Sequence, residues 1–464
     1  MSEKKVPLFS LFSPTDYRYG VRELEPYLSE EAYVRYKSKI EAALAETLAA
    51  KGICSKEVAD EICRATQKVN AAEVYLEEER IKHDIRALAN IIREHVSDAA
   101  KPYVHLTATS YDIVDTANAL RYKDAIRKVI LPDMAALERA LISLADREKA
   151  TVQIGRTHGQ HAEPITFGFA IAQYVARWGN RILVVKESSE RLVGKFSGAV
   201  GAYNASSLFF SDPEMFESDL LASLELKPAE VSTQIVPAEP MTDLFHAIVS
   251  AFGVLANFSR DMRNLQRSEI GEVGEPFGAE QVGSSTMPQK RNPLNFENVE
   301  SAWKRVIPQM MTVYLDQVSE HQRDLTNSLS QRYLPELLVL FDSSIRRLTR
   351  ITRDLKVDQR NMKRNFDAGK DNAIAEPLYI LLAYHGHRDA HEYVRRLTEK
   401  SYITGKPLNI LALQDEELKP YVDSFTPTQK AVLQDPAKYL GIAITKTERV
   451  VHSWENRLRD IGLL

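Results

Sequence analysis

Apolar residues recur along this chain with helical rather than strand spacing. From Met241, one set returns every seventh position, at Met241, Ile248, Leu255 and Met262. A second set follows three residues behind each, at Leu244, Ala251, Phe258 and Leu265. Four heptads of that pattern predict a bundle seam on a helix roughly 40 Å long, at about 1.5 Å of rise per residue. Ile171, Tyr174, Trp178, Ile182, Val185 and Leu192 form a comparable stripe, and Leu338, Phe341, Ile345, Leu348 and Leu355 form another. The segment 29–96 alternates apolar and charged residues with few breakers and predicts several helices. Beyond Asp358 the runs shorten, punctuated by Pro407, Pro420 and Pro427. The expected fold class is all-α, with an N-terminal helical domain at 1–110, a central long-helix bundle at 111–357 and a C-terminal helical domain at 358–464. Helices of this length usually pack side by side, often across subunits.

Three stretches break the helical texture. Residues 102–116 are rich in hydroxyls and poor in helix formers, and helical periodicity is expected to resume near Ala117. Gly155 to Pro164 forms a second interruption and Gly271 to Pro293 a third. Composition narrows what these interruptions can do. The chain has 464 residues, 44% hydrophobic and 27% charged, which suits a globular protein with a sizeable core. Sixty basic against sixty-four acidic side chains leave a net charge of −4, so no overall basic field draws nucleic acid or anionic lipid. An anion site must be local. Cys54 and Cys63 have no metal-ligand spacing and read as free thiols of a reducing compartment. The charged start, Met1 to Val6, has no signal-length apolar run behind it, and no stretch approaches membrane-spanning length. A cytoplasmic protein with no membrane or nucleic-acid partner is expected.

Nucleotide signatures are missing. There is no GxGxxG, and the Gly-Lys pairs at Gly194, Gly369 and Gly405 are followed by Phe, Asp and Pro where a phosphate loop needs Ser or Thr. There is no GxSxG elbow either. His385, His387 and His391 have spacing that a metal could use, and His158 with His161 offer a second pair, but helix-end or surface histidines account for both. The informative string runs from Gly283 to Pro293, Gly-Ser-Ser-Thr-Met-Pro-Gln-Lys-Arg-Asn-Pro. Glycine and small hydroxylated residues make a loop that can move. Its backbone N–H groups and Lys290 supply positive potential beside a serine, the surroundings a serine base needs to hold an alkoxide.

That string resembles the GSSxMPxKxNP signature of the fumarase/aspartase superfamily, whose members eliminate fumarate or a related product from a succinyl group. Gly155 to Gly168 resembles its GRTHGQxAxPxTxG segment, and His105 to Ala117 its HxGxTSxDxxDTA segment. Arg18-Tyr19, His83-Asp84, Ser232-Thr233-Gln234, and Arg323-Asp324 followed by Ser328 and Arg332 are most similar to the branch that cleaves adenylosuccinate, and the stretch Asp435 to Gly441 also matches. The resemblance implies release of fumarate from adenylosuccinate, giving AMP, and from the succinylated aminoimidazole carboxamide ribonucleotide, with no metal or organic cofactor. It implies Ser284 as base, with Ser285 the alternative. Lys290 and Asn292 would clasp the carboxylate that takes up charge.

His158 is the implied acid, with His83 and His105 as rivals. A histidine suits that role because its ordinary pKa lies near neutral pH. Arg18, Tyr19, Lys82, His83, Asp84, Arg323, Ser328 and Arg332 would surround the nucleotide, and Thr109, Ser110, Thr157, Gln234 and Asn298 would add hydrogen bonds. A homotetramer built on a shared helical core, with each site drawing loops from three subunits, is also implied. Three departures from the pattern stand out: Thr107 stands for Gly, Ala238-Glu239 for an Arg-Asp pair, and Asn327 for His. The alternatives are a sister lyase or carboxymuconate cycloisomerase acting on another succinyl-type acid, a non-catalytic member retaining the scaffold, and a zinc hydrolase built on the His385 cluster.

Overall fold

Short polar side chains start the helices where the sequence pattern begins. Ser29 Oγ accepts from the Ala32 N–H at 3.1 Å and opens the helix Glu30–Ala50, while Asn70 Oδ1 accepts from the Glu73 N–H at 3.0 Å and opens Ala71–Ile81. With Lys56–Thr66 and Asp84–Glu94 these are the several helices expected over 29–96. The computed structural model describes residues 11–278 and 280–463, and the charged start lies outside them. The all-α expectation holds. The longest helix, Glu239–Leu265, has 27 residues and so runs about 40 Å. Along its seam Leu244, Ile248, Ala251, Leu255, Phe258 and Met262 are buried, with Met241 and Leu265 half-buried at its ends.

Three local differences from the sequence reading have physical causes. The helix expected from Ala117 begins at Ser110, because Thr109 and Asp112 form a reciprocal capping box: the hydroxyl-rich stretch ends in a cap and not in open loop. Leu192 and Leu355 are buried as expected but lie just past the helices Phe167–Glu190 and Leu334–Arg353. The helix Glu239–Leu265 also reaches a mean hydropathy of 1.3 over 18 residues, enough by length and composition to cross a bilayer. Yet 67% of that window is buried against protein, as a core helix requires.

Among the described residues, six short strands interrupt the helices. β1 (Val152–Thr157) and β2 (Gln160–Thr166) form an antiparallel hairpin. β3 (Val193–Gly194) pairs with β4 (Lys227–Pro228) in parallel, and β5 (Val273–Gly274) with β6 (Lys356–Val357) antiparallel. The second interruption of the sequence is therefore a hairpin whose two turn residues are His158 and Gly159, at φ 54° and 76°. Positive φ at both positions is the turn that matches strand twist.

The chain divides into two compact units. The first runs up to Met134 and takes in Asn180–Gly253 and Ser301–Arg346. The second takes in Ala135–Gly179, Val254–Glu300 and everything from Arg347. In the first, Tyr122 meets Phe245 edge-on at 5.7 Å between ring centroids, and Phe252 packs against Phe341 at 5.7 Å. A fully buried ion pair, Lys195 with Asp112, joins the start of the helix Ser110–Ala125 to the segment after β3. The same lysine donates to Gly198 O at 3.1 Å, and Asp112 also accepts from the Thr109 and Gly198 N–H groups. In the second unit Tyr174, Phe258 and Phe296 form an edge-to-face series, and a smaller cluster of Ile374, Leu378, Leu382, Val394, Leu408 and Leu418 holds the shorter helices together.

Trp454, on the last helix Ala443–Asp460, lies on Gly179. A Cβ at Gly179 would come within 2.4 Å of the indole. Gly179→Ala is therefore expected to cost about 1–3 kcal/mol through overpacking, read as a lowered midpoint of thermal unfolding. Lys195→Met leaves Asp112 buried and uncompensated and should cost about 3–5 kcal/mol in denaturant titration. A Lys195→Met protein as stable as wild type would contradict that role.

Candidate active site

In the first unit, a cleft of about 390 Å³ collects residues that the sequence spreads over 250 positions. Lys82, His83, Asp84, Ser110, Gln234, Ser328 and Arg332 all line it. Lys82 ends the helix Ala71–Ile81 in the left-handed conformation, φ 59°. That turn sets His83 as the cap of the next helix, its Nδ1 accepting from the Arg86 N–H at 3.3 Å. Asp84 Oδ2 accepts from Lys37 Nζ at 3.4 Å. Burial pulls the Lys37 ammonium below its usual range against the opposing pull of Asp84. Tyr33, Tyr111, Asn118 and Arg121 also line the cleft. Sequence reasoning missed these four. Tyr111 lies inside the matched segment 105–117 and Asn118 and Arg121 lie just beyond it, whereas Tyr33 has no such signal. The Arg121 guanidinium lies 4.1 Å from the Tyr33 ring centre and Lys37 Nζ lies 3.9 Å from it, so the aromatic floor is held by two cations.

Arg323 does not line this cleft; it lines a narrow, mainly apolar cavity of about 70 Å³ that shares Tyr111 and Asn118 with the cleft. That cavity is lined by Asp115, Ile235, Val236, Ala238, Met241 and Val313. Its guanidinium stacks on Tyr111 at 3.6 Å and donates to the Tyr111 hydroxyl. Its Nη1 donates to Asn327 Oδ1 at 3.2 Å. Two departures from the family pattern thus meet in this cavity: Asn327, nearly buried, accepts from Arg323, and Ala238 contributes apolar wall. Burial pushes the Asp115 carboxyl up to about 7, although it accepts from the Val236 N–H at 2.9 Å.

His105 does not line the cleft. Its Nδ1 lies 2.5 Å from Oε1 of Glu41, which is 1% exposed. Burial alone would lower the imidazole pKa, but the Glu41 charge and hydrogen bond outweigh it and raise the pKa. Thr107 has φ 68°, the left-handed conformation that glycine adopts most readily. Thr109 serves as a helix cap. Arg18 and Tyr19 follow the turn Pro14–Asp16, both backbone N–H groups bonding to Pro14 O, and neither lines the cleft.

In the second unit, Thr157 and His158 are exposed at the tip of the β1–β2 hairpin. The serine loop is folded on itself. Ser284 Oγ accepts from the Thr286 and Met287 N–H groups at 3.3 and 3.0 Å, Asn292 Nδ2 donates to Gly283 O at 3.1 Å, and Lys290 N donates to Met287 O at 3.0 Å. Two backbone donors already aimed at a serine oxygen favour its alkoxide. Gly283 admits no side chain, since a Cβ there would sit 2.1 Å from Lys290 O. Ser285 and Lys290 are exposed, and Asn298 lies on the helix Leu294–Val306. His385 Nδ1 lies 3.0 Å from Ser424 Oγ, His387 packs beside Tyr393 and Tyr421, and His391 meets Tyr379 edge-on. Among the described residues, no three His, Cys, Asp or Glu side chains gather as metal ligands.

Comparison with known proteins gives the family. A family profile described as "Lyase" matches residues 16–307, and one described as "Adenylosuccinate lyase C-terminal" matches 319–427. The chain is 37% identical over 456 residues to the adenylosuccinate lyase of Pyrococcus abyssi, covering 96% of this chain and 98% of that one. It is 34% identical over 449 residues to the enzyme of Archaeoglobus fulgidus, with 96% and 99% covered. In fold it is similar to the 3-carboxy-cis,cis-muconate lactonizing enzyme of Pseudomonas putida. The TM-score is 0.83 and the identity 25%, with 95% and 99% covered. The chain belongs to the adenylosuccinate lyase family, within the fumarase/aspartase superfamily.

Proposed function

We propose that this protein is a carbon–nitrogen lyase that cleaves adenylosuccinate to AMP and fumarate, and the succinylated aminoimidazole carboxamide ribonucleotide in the same way. The observation that carries the reading is the cleft of the first unit, where Lys82, Arg121 and Arg332 meet hydrogen-bonding Ser110, Gln234 and Ser328 on an aromatic floor. A nucleotide bearing a phosphate and two carboxylates needs that mixture, and a chain of net charge −4 offers it only locally. Relatives at 34–37% identity over nearly the whole chain support it.

Ser284 removes the proton from the carbon next to one succinyl carboxylate. The electron pair spreads into that carboxylate, which Lys290 and Asn292 clasp, and then forms the carbon–carbon double bond as the C–N bond breaks. His158 protonates the departing nitrogen. Fumarate and the amino nucleotide leave with atoms and charge balanced. Arg18 and Tyr19 are assigned to the nucleotide with Arg323, and Thr157 and Asn298 to the carboxylates. A homotetramer with sites assembled from three subunits is part of the proposal. Its support is an unusual run of exposed apolar side chains between residues 307 and 333, including Met311, Leu315, Val318, Leu325, Leu329 and Tyr333, which water alone would not favour.

Release of fumarate from adenylosuccinate, followed by ultraviolet absorbance, tests the reading. Turnover by wild type, with kcat lower by about 10²–10⁴-fold in Ser284→Ala and His158→Ala, is expected. No turnover of adenylosuccinate beside turnover of a carboxymuconate would reject it. The Glu41–His105 pair adds a pH dependence. Its raised imidazole pKa means the pair's stabilisation is fully present below the unfolded-state value near 6.5 and is lost as pH rises through the folded-state value. The stability difference between wild type and Glu41→Gln should therefore shrink as pH rises from 6 to 9, and a difference independent of pH would refute that origin.

A further inference from the structure

The histidine hairpin and the serine loop are both rooted on one buried carboxylate that the mechanism above does not use. Glu272 is fully buried and immediately precedes β5, at the head of the segment that carries Ser284. Its Oε1 accepts from Arg156 Nη2 at 2.6 Å and from Asn365 Nδ2 at 2.8 Å. Its Oε2 accepts from Gln153 Nε2 at 2.7 Å and from Arg156 Nη1 at 3.2 Å. Gln153 and Arg156 lie on β1, and Arg156 is two residues before His158. Asn365 lies on the helix Gln359–Ala373. The two-pronged arginine contact fixes direction as well as distance.

The backbone repeats the connection. Glu272 N donates to Leu265 O at 2.9 Å, Asp358 N donates to Glu272 O at 2.9 Å, and β5 pairs with β6. Three residues on, Glu275 closes the other limb of the serine loop. Its carboxylate accepts from the N–H groups of Asn295 and Phe296 and from Asn295 Nδ2, at the start of the helix Leu294–Val306. The hairpin tip is seated on the same helix as Asn365, because His161 lies against Gly369, where a Cβ would come within 2.6 Å of its Nδ1.

We infer that Glu272 is a positioning residue for the elimination, holding the hairpin of His158 and the stem of the Ser284 loop in register through Arg156, Gln153 and Asn365. The link acts within one chain, whether the two loops serve one site or neighbouring sites of an oligomer. Its charge matters as well as its shape. Glutamine in its place would turn N–H donors toward donors and leave the Arg156 charge unbalanced beside the hairpin. The field of the pair already reaches that hairpin. The His161 imidazole is lowered by burial and then by Arg156, while Glu272 pulls it the other way. An unbalanced Arg156 would leave a positive charge without its partner two residues from His158.

The inference rests on His158 as acid and Ser284 as base. In Glu272→Gln, kcat should fall about 10²-fold, the loss that a misplacement near 1 Å can cause, with KM within about threefold. The basic limb of the pH–rate profile should move to lower pH. A merely structural role would lower the unfolding midpoint and leave the profile where it is. If Glu272→Gln does not fold, Arg156→Lys keeps the charge and gives up the two-pronged contact. It should lower kcat by a smaller factor and leave KM in place. Wild-type kcat and pH profile in folded Glu272→Gln, or wild-type kcat in Arg156→Lys, would overturn the inference. Full activity in His158→Ala would instead overturn the assignment of the acid, so the two failures are distinguishable.

Discussion

A carboxylate taken out of water has to find its donors in the protein, and in this chain that requirement anchors the segments assigned to chemistry. Asp112 is satisfied by Lys195 and by the N–H groups of Thr109 and Gly198, which fixes the start of the helix carrying Ser110. Glu272 is satisfied by Gln153, Arg156 and Asn365 and Glu275 by the start of the helix Leu294–Val306, while Glu41 holds His105 through one of its two oxygens. An isolated charge at such depth would be expelled or neutralised, and an apolar core of equal volume would not care which loop sat above it. Each network tolerates one arrangement of its donors. Loops of small and polar residues, with little apolar surface of their own to bury, thereby acquire fixed stems.

The long helices have a complementary part. The seam of the helix Glu239–Leu265 and the stripes on Phe167–Glu190 and Leu334–Arg353 bury apolar rows, and they place loops at helix ends where polar groups can meet solvent or ligand. His158 is exposed at its hairpin tip, and Ser285 and Lys290 are exposed on their loop. Side chains there have no packing to hold them, so the stems must do it. This division of labour lets one scaffold support related eliminations, because substrate choice can change at a cleft wall without disturbing the seam. Ala238 and Asn327 lie outside both the cleft lining and the seam. They shape the narrow cavity beside Arg323 and touch none of the four carboxylate networks.

Helix existence was legible because a period near 3.6 is a local property that survives for four heptads, and the serine loop was legible because its string is contiguous. Other features depend on information the local pattern does not hold. The helix start at Ser110 was read seven residues late because Thr109 and Asp112 look like loop residues until their reciprocal hydrogen bonds are seen. The hairpin at 152–166 looked like an interruption because its pairing, not its composition, makes it β. Lys195 lies 83 residues from Asp112, and Arg156 lies 116 from Glu272, so neither pair leaves a periodic trace. In the cleft, Lys82, His83, Asp84, Ser110, Gln234, Ser328 and Arg332 were found through motifs. Tyr33, Asn118 and Arg121 came from the floor beneath them, where an aromatic or a cation on a helix face is indistinguishable from ordinary core or surface.

The backbone conformations at the matched segments follow from the same constraint. Lys82, His105, Thr107 and His158 all have φ between 54° and 68°, a region that costs a non-glycine residue about 1–2 kcal/mol. Such conformations persist only where the surroundings over-determine them. Lys82 is held by its N–H on Glu78 O, His105 by Glu41, and His158 by the register of β1 against β2. Thr107 is the most demanding of the four, since a β-branched residue is a rare occupant of that region. It sits between His105 and the Thr109 cap, each tied to a buried carboxylate, with no freedom to relax toward negative φ without releasing one of them. The strain at Thr107 is thus a consequence of anchoring both neighbours, and a glycine there would adopt the same path without it.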